Sequence, residues 1–262
     1  MARFDRLEFD DEPEGEPGDP GDPAGAQEAG RADQAAWMSR ADDQRRRGLY
    51  ENALRFYSRA LELDRSLPAG WVGQVQMLVL LGEYPEAELW ARKALELFKA
   101  QGDLMAGRAQ ALARIGDRTQ AMELADAALR QEGESAYRWM VRGELLVTGR
   151  EDVDRHCFDK AVQADRDWLV PLEIALIYLH YGKPSQALLR ARQAVEKSPG
   201  SFYAWLIQGD CERATGLDRQ AKRSYERCLE LSPRHQDASR KLAEIENQGW
   251  SLARGVRRLI GR

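Results

Sequence analysis

Six glycines stand at nearly equal intervals along this chain. Gly48, Gly82, Gly116, Gly149, Gly182 and Gly216 are separated by 34, 34, 33, 33 and 34 residues. A fixed period of this length marks a chain built from one supersecondary unit used repeatedly. Twelve residues after each glycine comes a small residue: Ala60, Ala94, Ala128, Ala161, Ala194 and Cys228. Five residues after come Ala53, Ala87, Ala121, Asp154, Ala187 and Ala221. Eleven before stand Trp37, Trp71 and Trp205, with Met105 in the third unit. Trp139 stands ten before Gly149, so the fourth unit is one residue shorter within its first helix or turn.

Packing physics accounts for these residue types at these spacings. Two helices of about a dozen residues each pack as an antiparallel pair, and alanine at the crossing lets their axes approach to roughly 8–10 Å. Glycine supplies the positive-φ turn between them. A tryptophan fills the gap between paired helices with one large apolar body. No unit buries its own apolar stripe, so stability comes from nearest-neighbour stacking.

The same residues resemble the tetratricopeptide repeat, whose pattern is Trp-x2-Leu-Gly-x2-Tyr, then Ala-x3-Phe, Ala and Pro. The sixth unit carries Trp205, Gly209, Gly216, Ala221, Tyr225 and Pro233. The fifth carries Ile174, Ala175, Tyr178, Gly182, Ala187, Ala194 and Pro199, and the first Trp37, Ala53, Tyr57 and Ala60. The resemblance covers about residues 34 to 235. It implies an all-α fold, a right-handed α-solenoid of antiparallel helix pairs closed by a C-terminal capping helix. The six repeats are placed at about 34–67, 68–101, 102–135, 136–167, 168–201 and 202–235. Asp154 departs from the pattern at a small-residue position, and Arg108 and Arg142 stand where leucine is usual. These departures predict a looser fourth repeat, or an Asp154 re-aimed by its shortened turn.

The flanking segments differ in composition. Residues 1–33 hold eleven acidic residues against three arginines, a net charge of −8 that leaves +4 for the rest of a chain totalling −4. With so little apolar surface to offset ordering entropy, this stretch is expected to be disordered. Within it, Phe4, Leu7 and Phe9 form a compact apolar cluster, either part of a solubilising leader or a short docking motif. Residues 236–248 read as a capping helix with Ala238, Leu242 and Ile245 on one face and Arg240, Lys241, Glu244 and Glu246 toward water. Residues 249–262 carry Trp250, Leu252, Val256, Leu259 and Ile260 among Arg254, Arg257, Arg258 and Arg262. A basic amphipathic segment of this kind folds back on the repeats, meets an acidic partner or docks on anionic lipid. Four arginines without a wider basic surface make a poor phosphate footprint, so no nucleic acid is expected.

The resemblance also selects a binding surface. In the family the first helices line a concave groove, at positions one, five and eight after the tryptophan. On this chain these are Met38, Asp42 and Arg45; Val72, Gln76 and Val79; Ala106, Gln110 and Ala113; Met140, Glu144 and Val147; Leu172, Leu176 and Leu179; and Leu206, Asp210 and Arg213. Tyr137 and Tyr203 are placed at the groove edge. The floor is apolar in the second, fourth and fifth repeats and charged at the two ends. Family members that grip a chaperone's carboxylate tail use a Lys/Asn/Arg clamp, and Val72, Gln76, Met140 and Glu144 do not form one. An apolar floor with polar ends suits an amphipathic helix or an extended apolar segment; part of the set can equally belong to the core between repeats.

Catalytic patterns are missing from the sequence. His156 and Cys157 are adjacent, about 100° apart on a helix, which spoils a nucleophile–base pair. There is no Cys-x2-Cys, no His-x3-His and no phosphate-binding glycine loop. Three cysteines, Cys157, Cys211 and Cys228, fall in helical runs and read as small buried apolar residues in a reducing compartment. The N-terminus lacks the apolar core of a signal peptide, and no run of about 18 apolar residues is present. The expectation is a cytoplasmic, non-catalytic scaffold or adaptor without cofactor or metal, binding a protein or peptide. A peripheral membrane or assembly factor working through the basic tail is the alternative, and self-association through an end of the stack is compatible with either.

Overall fold

The computed structural model describes residues 23–149 and 153–247. The Phe4, Leu7 and Phe9 cluster and the tail bearing Trp250, Arg254, Arg257 and Arg258 lie outside them. Thirteen helices and no strand occur among the described residues. They fall into two compact units, Met1–Gly133 and Glu134–Arg262. The first holds α1 (Pro23–Arg46), α2 (Tyr50–Leu63), α3 (Pro68–Leu81), α4 (Tyr84–Leu97), α5 (Gly102–Ile115) and α6 (Arg118–Leu129). The second holds α7 (Ala136–Leu146), α8 (Val153–Ala164), α9 (Leu169–His180), α10 (Pro184–Lys197), α11 (Phe202–Ala214) and α12 (Asp218–Leu231), followed by α13 at residues 236–247. Within each unit consecutive helices pair and the pairs stack, the all-α, tetratricopeptide-like arrangement that the spacing implies.

Local chemistry places the helix ends. Pro68 and Pro184 sit in the first turn of α3 and α10, where the missing N–H would have had no partner. Gly82 and Gly116 close α3 and α5 in the left-handed region, at φ 84° and 111°. Gly48, Gly182 and Gly216 are left-handed too, but Gly149 is not. Gly149 instead donates its N–H to the Leu146 carbonyl at 2.8 Å, consistent with the shortened turn after the 11-residue α7. The boundary drawn from composition needs correcting at the other end. Helix α1 starts at Pro23, inside the stretch read as disordered tail. The prolines stop there, and Ala24 to Ala36 holds six alanines, the best helix former.

Three devices hold a pair together. The comb alanines Ala53, Ala87, Ala121, Ala187 and Ala221 are sealed from solvent. Glycines make room for aromatic rings: a Cβ on Gly209 would lie 2.5 Å from the Tyr225 ring, and one on Gly143 2.7 Å from Phe158. Gly73 makes the same room across a junction, for Tyr57 of the preceding helix. Two tryptophan indoles tie their first helices, α3 and α11, to the turns before them. Trp71 Nε1 donates to the Arg65 carbonyl and Trp205 Nε1 to the Pro199 carbonyl, both at 2.9 Å.

The fourth repeat meets the fifth sparingly, α8 touching α9 far less than α10 touches α11. Polar ties serve this junction. The Tyr178 hydroxyl donates to Asp154 Oδ2 at 3.1 Å, Arg190 reaches Asp159 at 2.6 Å, and Lys197 reaches the Arg166 carbonyl at 2.8 Å. Asp154, the odd residue of the comb, is therefore buried with a donor from the next pair. Burial, and then the Asp154 carboxylate, push the Tyr178 hydroxyl well above the ordinary phenol range.

Core polarity is less well served at Gln74. It occupies the leucine position of the second repeat, three residues after Trp71, is fully buried, and neither amide atom has a partner among the described residues. An unsatisfied buried amide costs about 1–3 kcal/mol. Gln74→Leu is expected to raise stability in chemical denaturation by about 1–2 kcal/mol; a loss would show that the amide is satisfied. Ala187→Leu is expected to overpack the α9–α10 crossing and cost about 1–3 kcal/mol, checked by the shift of its urea midpoint.

Candidate partner-binding surface

Successive first helices lie side by side within a unit: α3 beside α5, α7 beside α9, and α9 beside α11. Their common face is where the sequence positions its partner contacts. Burial divides that set. Gln76, Val79, Gln110, Met140, Glu144, Val147, Leu172, Tyr203 and Leu206 are buried, with Val147 and Leu172 wholly sealed. For these residues the correction to the sequence reading is that they lie in the seams between helices. Position one after the tryptophan is buried in four of the six repeats, position five in three and position eight in two. Val72, Tyr137, Leu176, Leu179, Asp210 and Arg213 keep part of their surface.

Asp210 and Arg213 are already engaged. Lys241 of α13 places Nζ 2.7 Å from both carboxylate oxygens of Asp210, and Arg213 Nη1 lies 2.7 Å from Glu244 Oε2. Lys222 of α12 meets Glu246 at 2.8 Å. The charges of α13 expected to face water therefore anchor it instead, while Arg240 stays largely exposed beside Asp237 and Glu244. Beneath, Tyr225 donates its hydroxyl to Asp210 Oδ1 at 2.8 Å. Burial, and then Asp210, raise that hydroxyl far above the ordinary phenol range. The first repeat uses the same pairing: Tyr57 donates to Asp42 Oδ1 at 2.6 Å. Sequence reasoning had marked Asp42 and Asp210 as charged ends without seeing that each caps a buried tyrosine. The shared twenty-residue offset from Trp37 and Trp205 to a tyrosine was the available signal.

Of the predicted contact positions that keep apolar surface, two lie on α9, Leu-Val-Pro-Leu-Glu-Ile-Ala-Leu-Ile-Tyr-Leu-His. A helix apolar on every side is normally covered on every side. Here Leu169 to Ala175 are buried, whereas Leu176 and Leu179 are half-exposed. After the end of α9 the Tyr181 hydroxyl donates to Glu144 Oε1 of α7 at 3.2 Å. Tyr181 lies outside the one-five-eight pattern, and nothing in the repeat spacing pointed to it.

Cys157, Cys211 and Cys228 are free and buried. Burial, followed by the nearby Asp210, pushes the Cys211 thiol up to about 12 and that of Cys228 to about 11, so neither is a ready nucleophile. Among the described residues no group of three or more His, Cys, Asp or Glu side chains could hold a metal ion. No helix there is long and apolar enough to cross a membrane.

Comparison with known proteins agrees with this geometry. Tetratricopeptide repeat profiles match residues 38–102, 172–218 and 202–235. The chain is 29% identical over 131 residues to anaphase-promoting complex subunit 7 of Arabidopsis thaliana, covering 49% of this chain and 24% of that one. It is 32% identical over 89 residues to human tetratricopeptide repeat protein 7B, covering 33% and 11%. The chain thus spans a quarter or less of the length of either relative. Among solved structures, a tetratricopeptide repeat protein from Parabacteroides merdae superposes with a TM-score of 0.51 at 17% identity, over 85% of this chain and 92% of that one. That likeness concerns the fold alone.

The α13 anchor responds to acid in a defined direction. The Arg213 hydrogen bond holds the Glu244 carboxyl below the usual carboxylate range. At Asp237 burial acts upward, but the hydrogen bond and charge of Lys241 outweigh it and the carboxyl is also lowered. Both therefore add stability that is present at neutral pH and lost as the pH falls through their depressed values. Lys241→Met is expected to cost about 1–2 kcal/mol at pH 7 and to flatten the acid-side decline. Superimposable stability–pH curves for the two proteins would contradict the anchor.

Proposed function

Since this chain belongs to the tetratricopeptide repeat family, whose fold is that of a protein-interaction scaffold, we propose that it captures a segment of a partner protein on the first-helix face of its second unit. The reading is carried by α9, where Leu176 and Leu179 keep accessible surface on a helix that is apolar all round. Tyr137 of α7 is the third half-exposed apolar residue that the repeat register assigns to this unit. A partner presenting apolar residues at helical spacing, or an extended apolar segment, would cover this strip. Val72 of α3 offers a smaller, separate contact in the first unit. The protein then acts by holding a partner in place, without a catalytic step.

Leu176→Glu combined with Leu179→Glu places two charges on the strip. Both positions are partly solvated, so helicity and melting temperature are expected to change little. Partner recovery in affinity capture from the native lysate should fall at least about tenfold, the effect of losing some 1.4 kcal/mol. Undiminished recovery, with the fold intact, would move the binding surface off α9.

A further inference from the structure

The helices of a pair leave a cleft between the tryptophan and the residue nineteen positions later. In the first repeat Phe56 fills it, its ring centroid 5.5 Å from that of Trp37. In the second Trp90 does so, 6.0 Å from Trp71. In the sixth repeat the corresponding residue is Ser224. A cavity of about 500 Å³ opens there between α11 and α12, lined by Trp205, Gln208, Glu212 and Ser224 and, along α12, by Gln220, Arg223, Glu226, Arg227 and Glu230, of which Arg227 is paired with Glu230.

Glu212 is the informative group. It is 3% exposed yet lines the cavity. Ser224 Oγ donates to its Oε2 at 2.6 Å and Gln208 Nε2 to its Oε1 at 3.0 Å. Both donors are neutral, and no cation pairs with Glu212 among the described residues. An acidic group withdrawn from water without a counter-charge is costly. Here it opens onto a cavity beside an indole face, the two features that recognise a planar guanidinium.

We propose that the α11–α12 cleft is a socket for an arginine side chain of a partner protein, stacked on Trp205 and paired with Glu212. Serine in place of an aromatic plug supplies both the space and a hydrogen bond that orients the carboxyl group. Gln220, also on the lining, accepts from Arg192 Nη2 of α10 at 3.2 Å. This socket stands apart from the apolar strip on α9, and the failure of either leaves the other in place.

The test follows the Trp205 indole N–H resonance of the ¹⁵N-labelled full chain, identified with Trp205→Phe. The probe is the capped tripeptide Gly-Arg-Gly, compared with its neutral isostere in which citrulline replaces arginine. Saturable movement with a roughly millimolar Kd, as suits one small side chain, is expected for arginine only. Glu212→Gln, which keeps the shape, should weaken binding about tenfold or more. Ser224→Phe, which restores the plug of the first repeat, should abolish it, with the melting curve reporting folding independently. Equal response to the citrulline peptide, no response to arginine, or undiminished binding to Glu212→Gln would each overturn the proposal.

Discussion

Close approach of paired helices is the constraint from which the remaining features follow. At five of the six crossings a side chain no larger than a methyl group lets two backbones come near enough to exclude water. Ala53, Ala87, Ala121, Ala187 and Ala221 do this with no residual exposure. In two pairs the volume saved there is taken up nearby by a ring seated over a glycine, Tyr225 over Gly209 and Phe158 over Gly143. A larger residue at either place would part the helices, and the stacked neighbours would lose their surface in turn.

The same close approach explains how polar groups are treated. A tyrosine ring packed over glycine carries its hydroxyl toward the edge of the pair, where it must find an acceptor or lose a hydrogen bond. Asp42 and Asp210 serve Tyr57 and Tyr225 from the paired first helix. Asp154 serves Tyr178 from the pair before. Lys241 then neutralises Asp210 at the C-terminal end. That anchor makes α13 more than an apolar lid. Its register on the last repeat is specified by Lys241, Glu244 and Glu246, each facing an opposite charge.

The two candidate recognition elements depend on packing in opposite ways. On α9 nearly all residues are apolar, and the neighbours cover most of the helix but leave Leu176 and Leu179 partly open. In the α11–α12 cleft a missing ring leaves space, and a buried acidic group forms no ion pair among the described residues. Neither depends on a flexible loop; both are set by what adjoining helices do or do not fill.

Much of the fold was legible beforehand because repeat spacing is a one-dimensional property. Glycine, alanine and tryptophan at a fixed period specify paired helices whatever the remaining residues are. Helix number, pairing and the cap at 236–247 follow from that ruler together with local end signals. The candidate surface was only half legible. Register says that Val147, Leu172 and Leu176 point toward one side of their helices. It cannot say that the adjoining helix seals the first two and leaves the third open, because burial depends on the distance between axes. In the same way Ser224 and Glu212 are unremarkable letters until two helices set them around one cavity. The sequence by itself determined the helix pairs and their order, since these rest on local periodicity. Which side chains remain available to a partner was decided only by tertiary packing, where neighbours distant along the chain compete for the same space.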